Sequence, residues 1–392
     1  MSETLYDQLE TSMENGGIDA VLEKLITSLQ AEKKYHELFE ALKMQVRHRI
    51  GLPLLYGESG DELEDSQRIA LEDGLIDACR QVGMGLLAEG RISEGYMYMR
   101  PVGDRQAVKD QLDQIEVGDN NIDELVEVLL QEGVDVERGF KIVLDSYGTC
   151  NSITTYETVV AHKSKPEQRK VAKLLLDHVH TELFNNVKSD IEHRSESTPE
   201  ETTLEGLVTN REWLFGEHAY HIDTTHLAST TRFSRILEDE DSIRKALDLT
   251  HYGRLLNTQF QYEGDEPFTD IYPDHALYFQ ALLGQNTEQA LDHFKQKADE
   301  VPRNQWGTMA VEVYIDLLNR IGQIDQAIAA TAELIQPGER TSGLAPSLLE
   351  LCESKGDYSQ LVTSCRDAQD VLGFATGLMT VSYTHLTLPT KA

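Results

Sequence analysis

The chain has 392 residues, and its 68 Asp and Glu against 35 Lys and Arg give a formal net charge of −33 at pH 7. Hydrophobic residues make up 40% of the chain and charged residues 26%, a balance that allows a large core and excludes wholesale disorder. A surface this negative repels the phosphates of nucleic acids and the head groups of anionic lipids. Because no block of clustered Lys and Arg interrupts it, we expect no nucleic acid and no membrane among the partners.

The N-terminal segment and the cysteines predict a cytoplasmic protein. Residues 1–17 are acidic and lack the apolar stretch of a signal peptide, and no run of about 18 apolar residues is available to span a membrane. Cys79, Cys150, Cys352 and Cys365 form no C-x-x-C pair, which favours reduced thiols over a disulfide framework or a zinc ribbon.

Apolar residues recur with helical spacing from the first segment onward, which predicts an all-α protein. His178 lies on one of these stripes and is predicted to be a hydrogen-bonded core histidine. Residues 147–160, rich in Thr and Ser, are the best strand candidate and fit equally a loop followed by a helix cap. The clearest stripes are Ile18, Val21, Leu22, Leu25, Ile26 and Leu29; Leu38, Phe39, Leu42 and Val46; Val171, Leu174, Leu175, His178 and Val179; and Val311, Tyr314, Ile315, Leu318 and Ile321.

Several helices are predicted to end at a glycine and to be followed at once by another helix. Glycine closes a helix by taking the left-handed conformation, and a small residue early in the next helix lets the two pack closely. The turn glycines are Gly90, Gly284, Gly322 and Gly356, and small residues follow the first three of them at Gly95, Ala290 and Ala327.

These segments, mostly within residues 80–101 and 276–366, resemble tetratricopeptide (TPR) repeats in a degenerate form with an irregular period. Gly322, Ala327 and Pro337 match the family's turn glycine, small crossing residue and terminal proline. The resemblance implies stacked antiparallel helix pairs that form a TPR-like α-solenoid, and often a protein–protein scaffold. It supplies no peptide-binding residues.

Polar stretches at 116–121, 194–203 and 263–274 predict the domain organisation. We expect an N-terminal helical-repeat block at 1–115, a central helical region at 122–262 with a polar loop near 194–203, and C-terminal TPR-like repeats at 276–379. Residues 381–392 are neither acidic nor periodic and are expected to be a non-native tail, which implies a natural chain that continues beyond Met379.

The window 217–226 gathers three histidines and the carboxylates of Glu217 and Asp223, which are groups of the kinds that bind zinc, iron or manganese. Its candidate ligands are His218, His221, Asp223 and His226, but their order matches no known motif. On one straight helix His226 would lie about 12 Å beyond His218. Binding of a single ion by these histidines therefore requires a turn that interrupts the helix near 222–225, or a ligand from another helix. The alternative is a helix junction capped by Asp223 or Thr224.

Residues 211–235 are also an island of neutral or positive charge in this acidic chain. Arg211, Arg232 and Arg235 lie there beside the three histidines, and Arg232 and Arg235 are candidates to bind an anionic ligand through their guanidinium groups. The alternative is pairing with carboxylates of neighbouring helices. Residues 263–275, rich in Asp and Glu, are predicted to be a solvated acidic loop rather than a calcium site.

The sequence therefore favours a non-enzymatic interaction scaffold, with no cofactor and with a partner protein that presents a basic surface. It lacks the common nucleotide-binding and hydrolase motifs. Two alternatives stay open: a metal-binding protein or metal-dependent enzyme that uses a divalent transition metal at 217–226, and a binder of an anionic ligand at 211–235.

Overall fold

A computed structural model describes residues 4–55, 63–264, 266–336 and 339–387. These residues form nineteen α-helices and no β-strand, so the predicted all-α class is confirmed. Within them, no helix is both long and apolar enough to cross a bilayer. The chain divides into two compact units, Met1–Glu167 and Gln168–Ala392.

The first unit holds α1–α7 and the first turn of α8, with a π-helical turn at Glu127–Gln131 between α6 and α7. One part of its core joins α1–α3 and a second joins α3–α7. The helices are α1 (Leu5–Ala31), α2 (Tyr35–Arg49), α3 (Asp65–Ala88), α4 (Ile92–Val102), α5 (Arg105–Leu112), α6 (Ile122–Val126), α7 (Val136–Thr158) and α8 (Lys165–Ser195).

The second unit holds the rest of α8 and α9–α19. Its core contains large aromatic side chains, among them Tyr252, Tyr278 and Phe279. The helices are α9 (Leu204–Val208), α10 (Thr224–Phe233), α11 (Glu240–Leu255), α12 (Ile271–Leu282), α13 (Thr287–Glu300), α14 (Arg303–Trp306), α15 (Met309–Arg320), α16 (Ile324–Leu334), α17 (Leu348–Lys355), α18 (Ser359–Asp367) and α19 (Val371–Thr387).

The helix–turn–helix junctions are confirmed. The four turn glycines, Gly90, Gly284, Gly322 and Gly356, all have positive φ, and each lies between two consecutive helices. Ala327 is fully buried near the start of α16. Pro337 lies outside the described residues.

A close crossing of α3 and α4 depends on two glycines. A Cβ added at Gly83 would lie 2.7 Å from Met99 Cγ and 3.0 Å from the Gly95 carbonyl oxygen. A Cβ at Gly95 would lie 2.9 Å from the Leu87 backbone nitrogen. Only residues without a side chain allow this approach, because interiors are packed without spare volume.

The strand suggested at 147–160 is wrong, because α7 continues to Thr158 after a break at Gly148 (φ 78°, ψ 179°). Ser and Thr hydroxyl groups in this part of α7 donate hydrogen bonds to backbone carbonyl oxygens four residues earlier in the same helix. Ser152 Oγ donates to Gly148 O at 3.0 Å and Thr158 Oγ1 donates to Thr154 O at 2.8 Å. This bonding lets a Ser- and Thr-rich sequence remain helical.

His178 is not a core histidine, because its side chain is 41% exposed and lies 3.8 Å from Glu182 Oε2. The buried face of α8 includes Leu175 and Val179, and His178 lies just beside it. The predicted tail boundary at Val381 falls inside α19, whose backbone is helical to Thr387. Residues 388–392 lie outside the described residues.

Candidate functional site

The histidine window forms a junction between α8, α10 and α11 in the second unit. A new helix begins within 222–225, because α10 starts at Thr224 with Asp223 as its N-cap. The Asp223 Oδ1 accepts from the backbone amides of Thr225 at 2.8 Å and His226 at 3.2 Å. The hydrogen bond from the Thr225 hydroxyl is the main cause that lowers the pKa of Asp223. Asp223 thus serves as the helix cap that the sequence offered as the alternative to a metal ligand.

His221 is held by both of its ring nitrogens. Its Nε2 lies 3.1 Å from Asp190 Oδ2, and its Nδ1 lies 2.8 Å from the Tyr252 hydroxyl, which also accepts from the His221 backbone amide at 2.9 Å. The carboxylate can only accept, so Nε2 carries the proton and Nδ1 accepts from the tyrosine. Burial lowers the pKa of His221 despite the opposing effect of Asp190, which keeps the imidazole neutral near pH 7.

His218 shares a surface depression with His221 and Asp190, whereas His226 lies in the first turn of α10. His218 is exposed and lines a shallow surface depression beside Asn186 and Arg194. His226 contributes its backbone amide to the Asp223 cap. Across the described ranges, no group of three or more His, Cys, Asp and Glu side chains is arranged to hold a metal ion. The metal site stays a prediction that this geometry does not favour.

The three arginines of residues 211–235 each contact a different partner. Arg211 Nη2 donates to Glu201 Oε1 at 2.6 Å, which is the carboxylate pairing that the sequence left open. Arg232 Nη2 donates to Ser229 Oγ at 3.2 Å. Arg235 lies over the ring of Phe268, 5.9 Å from its centroid.

Arg235 and His275 line a cavity of about 10 Å³ together with Tyr278 and Phe294. Within the part of the chain that the structure describes, Arg235 Nε and His275 Nε2 are buried without a hydrogen-bond partner. The cavity can hold one water molecule but no phosphate-sized anion. Binding of an anionic ligand by Arg232 and Arg235 therefore stays a prediction, and it requires this region to open.

His275 is buried and neutral. Its Nδ1 donates to the Ile271 carbonyl at 2.8 Å, which leaves Nε2 as a buried acceptor. Burial, reinforced by the positive charge of Arg235, lowers the pKa of His275 to about 3.

The solvated acidic loop expected at 263–275 is wrong at its C-terminal end. Helix α12 begins at Ile271, and Asp274 and His275 are 4% and 5% exposed. Asp274 Oδ1 lies 2.7 Å from His293 Nε2, and its Oδ2 lies 3.5 Å from Lys297 Nζ. Burial raises the pKa of Asp274 against the effects of the Lys297 charge and of the hydrogen bond from His293. The partners on α13 are what allow a carboxylate to be buried here.

The C-terminal groove, which sequence reasoning missed, lies among α15, α16, α17, α18 and the segment between α16 and α17. Its volume is about 750 Å³, within the range of ligand-binding pockets. Its aliphatic lining includes Ala332, Ile335, Pro346, Leu348, Leu361 and Ala368, and its charged lining is Glu312, Glu339, Glu350 and Asp370. No Lys, Arg or His is among its described lining residues.

Glu312 anchors one wall of the groove. Its carboxylate is 1% exposed and accepts from Thr308 Oγ1 at 2.6 Å, from the Ser342 amide and hydroxyl at 2.8 and 3.0 Å, and from the Leu344 amide at 2.8 Å. Burial raises the pKa of Glu312, but these hydrogen bonds outweigh it and the pKa is lowered overall. An ionised carboxylate thus fixes the segment that follows α16.

Comparison with known proteins gives no relative: no family model, no curated protein and no solved structure matches the chain.

Proposed function

We propose that this chain is a cytoplasmic protein-interaction scaffold of the helical-repeat class, whose helix pairs stack as a TPR-like α-solenoid and bind a partner with a basic surface. The observation that carries the proposal is the repeated helix–turn–helix unit. Pairs α3–α4, α12–α13, α15–α16 and α17–α18 each join through a short turn that contains a left-handed glycine. Arrays of such units present long surfaces and need no catalytic residues.

The charge of the chain supports a basic partner. A net charge of −33 creates a negative potential that attracts cationic surfaces and accelerates their association. The two arrangements that most resemble catalytic machinery also have structural roles. Both ring nitrogens of His221 are bonded to protein groups, and Asp223 is a helix cap.

The test uses the full-length chain, immobilised and exposed to an extract of its own cells at low and high salt. We expect at least one protein to bind directly at low salt, to be released at high salt and to cross-link through Lys- or Arg-rich peptides. Elemental analysis of the same preparation compares the chain with its His218→Ala variant, with His193→Ala, an exposed histidine of α8, as the control. If no protein binds while stoichiometric zinc, iron or manganese is present and is lost only in His218→Ala, the metal alternative replaces the scaffold.

A further inference from the structure

The water-sized cavity beside Arg235 and His275 in the second unit is lined by several buried polar side chains. We propose that it is a binding site for one internal water molecule, which accepts a hydrogen bond from Arg235 Nε and donates hydrogen bonds to His275 Nε2 and Asp274 Oδ2. This inference goes beyond the scaffold function and does not depend on it, because it concerns how the second unit is held together.

Three polar atoms around the cavity need a partner. Arg235 Nε, His275 Nε2 and Asp274 Oδ2 are buried, and none has a hydrogen bond to any described residue. Lys297 Nζ approaches Asp274 Oδ2 to 3.5 Å as an ion pair only. All three side chains line the cavity, and those of Asp274 and His275 belong to residues that are 4% and 5% exposed. Native proteins nearly always supply such buried groups with a hydrogen bond, from the chain or from ordered water.

The hydrogen-bonding character of these atoms matches water. The Arg235 Nε–H group can only donate, and an ionised Asp274 can only accept. His275 Nδ1 donates to the Ile271 carbonyl at 2.8 Å, and burial together with the charge of Arg235 lowers the pKa of His275 to about 3. The ring is therefore neutral and its Nε2 accepts. One donor and two acceptors are the complement of a water molecule.

The rest of the lining is apolar or already bonded. The Tyr278 hydroxyl donates to Asp316 Oδ2 at 2.5 Å and accepts from Arg320 Nη1 at 3.3 Å. The lining residues without a polar side-chain atom are Phe268, Phe294 and Val313. The three unpaired atoms are therefore the groups that position the water.

Neutral water fits this site better than an ion does. An anion would meet the Asp274 carboxylate and the lone pair of His275 Nε2, and a cation would meet the guanidinium of Arg235. The volume of about 10 Å³ corresponds to one water-sized sphere.

The water connects two segments that are distant in the chain. Arg235 lies in the 3-10 turn Ser234–Ile236, which directly follows α10, and Asp274 and His275 lie near the start of α12. A molecule bonded to both segments adds hydrogen bonds between them where the side chains themselves do not meet.

The first measurement is a crystal structure of the full-length chain at a resolution that shows ordered water, from crystals grown in chloride-free buffer and in sodium bromide. We expect one water peak about 2.7–3.2 Å from both Arg235 Nε and His275 Nε2, and no anomalous signal from bromide in the cavity. A bromide peak there, an empty cavity, or a direct contact between the two nitrogens overturns the proposal.

The second measurement compares the melting temperatures of Arg235→Met, His275→Phe and the double variant. Each single change removes one end of the bridge, so the double variant should lose clearly less than the sum of the two single losses. The control combines His275→Phe with Arg244→Met, because Arg244 is exposed on α11 and pairs with Glu240, and its losses should add. Additive losses for Arg235→Met and His275→Phe would contradict the bridge. Circular dichroism verifies folding, and the crystallographic result decides alone if a variant does not fold.

Discussion

Individual residues show where sequence reasoning succeeds and where it stops. Asp223 as a helix cap was predictable, because its partners, Thr225 and His226, lie two and three residues further along the chain and the signal is local. The partners of His221 and Glu312 were not, since each meets groups about thirty residues away. A single sequence gives no signal for such meetings, so the acceptor role of Glu312 appears only in three dimensions.

Glu312→Gln tests the anchor of the groove. Gln keeps the volume but replaces one acceptor oxygen with a donor that faces donors, so we expect a loss of about 2–3 kcal/mol in the free energy of unfolding at neutral pH. The measurement is urea denaturation followed by circular dichroism, with Glu333→Gln, an exposed residue of α16, as the control.

The lowered pKa of Glu312 also predicts how this loss of stability depends on pH. The folded-state pKa of Glu312 lies below its ordinary value of 4.5, so its stabilisation is present above that value and disappears as pH falls through the folded-state pKa. The gap between wild type and Glu312→Gln should therefore close in acid. A gap that persists unchanged in acid would show that the charge is not its cause.

His275 predicts a second pH effect with a separate range. Its folded-state pKa of about 3 lies below the ordinary 6.5, so only the unfolded chain takes up a proton as pH falls below 6.5. Between pH 6.5 and about 5 the wild type should lose about 2 kcal/mol that His275→Phe does not lose. The comparison is urea unfolding of both proteins across this range, and parallel curves would mean that His275 does not stay neutral in the fold.

At the level of helices, local sequence signals predicted the turns between helices correctly but failed for the segments 147–160 and 263–275. Gly90, Gly284, Gly322 and Gly356 were identified correctly, because a left-handed turn places a strong demand on one residue. The suggested strand at 147–160 failed because Thr propensity for strands is weak compared with helical hydrogen bonding to the preceding turn. The acidic composition of 263–275 concealed the start of α12, because burial of Asp274 requires its partners His293 and Lys297 on α13.

The α3–α4 crossing provides a test at this scale. Ala at Gly95 places its Cβ 2.7 Å from Leu87 Cγ and 2.9 Å from the Leu87 nitrogen, and the backbone atom cannot rotate away. We expect a net destabilisation of about 1–3 kcal/mol, even though Ala favours a helix by about 1 kcal/mol over Gly. Gly216→Ala is the control, since a Cβ there meets nothing within 4 Å. Thermal unfolding that shows Gly95→Ala as stable as wild type would contradict the tight crossing.

For the whole molecule, helical periodicity predicted the all-α class, which the described residues confirm. The acidic composition leads us to expect a basic partner, but it does not locate a binding site. The lining of the C-terminal groove extends from Glu312 to Asp370, and no stretch of it is distinctive in the sequence. The histidine and arginine cluster is the more conspicuous feature of the sequence, and most of its side chains contact other groups within the fold.

Hydrogen–deuterium exchange of the full-length chain, with and without the protein that it captures at low salt, tests the central claim most directly. A helical-repeat scaffold should show slower amide exchange in at least one of the pairs α3–α4, α12–α13, α15–α16 and α17–α18 when that protein is bound. No protection at any partner concentration, or protection confined to segments outside these pairs, would contradict the account.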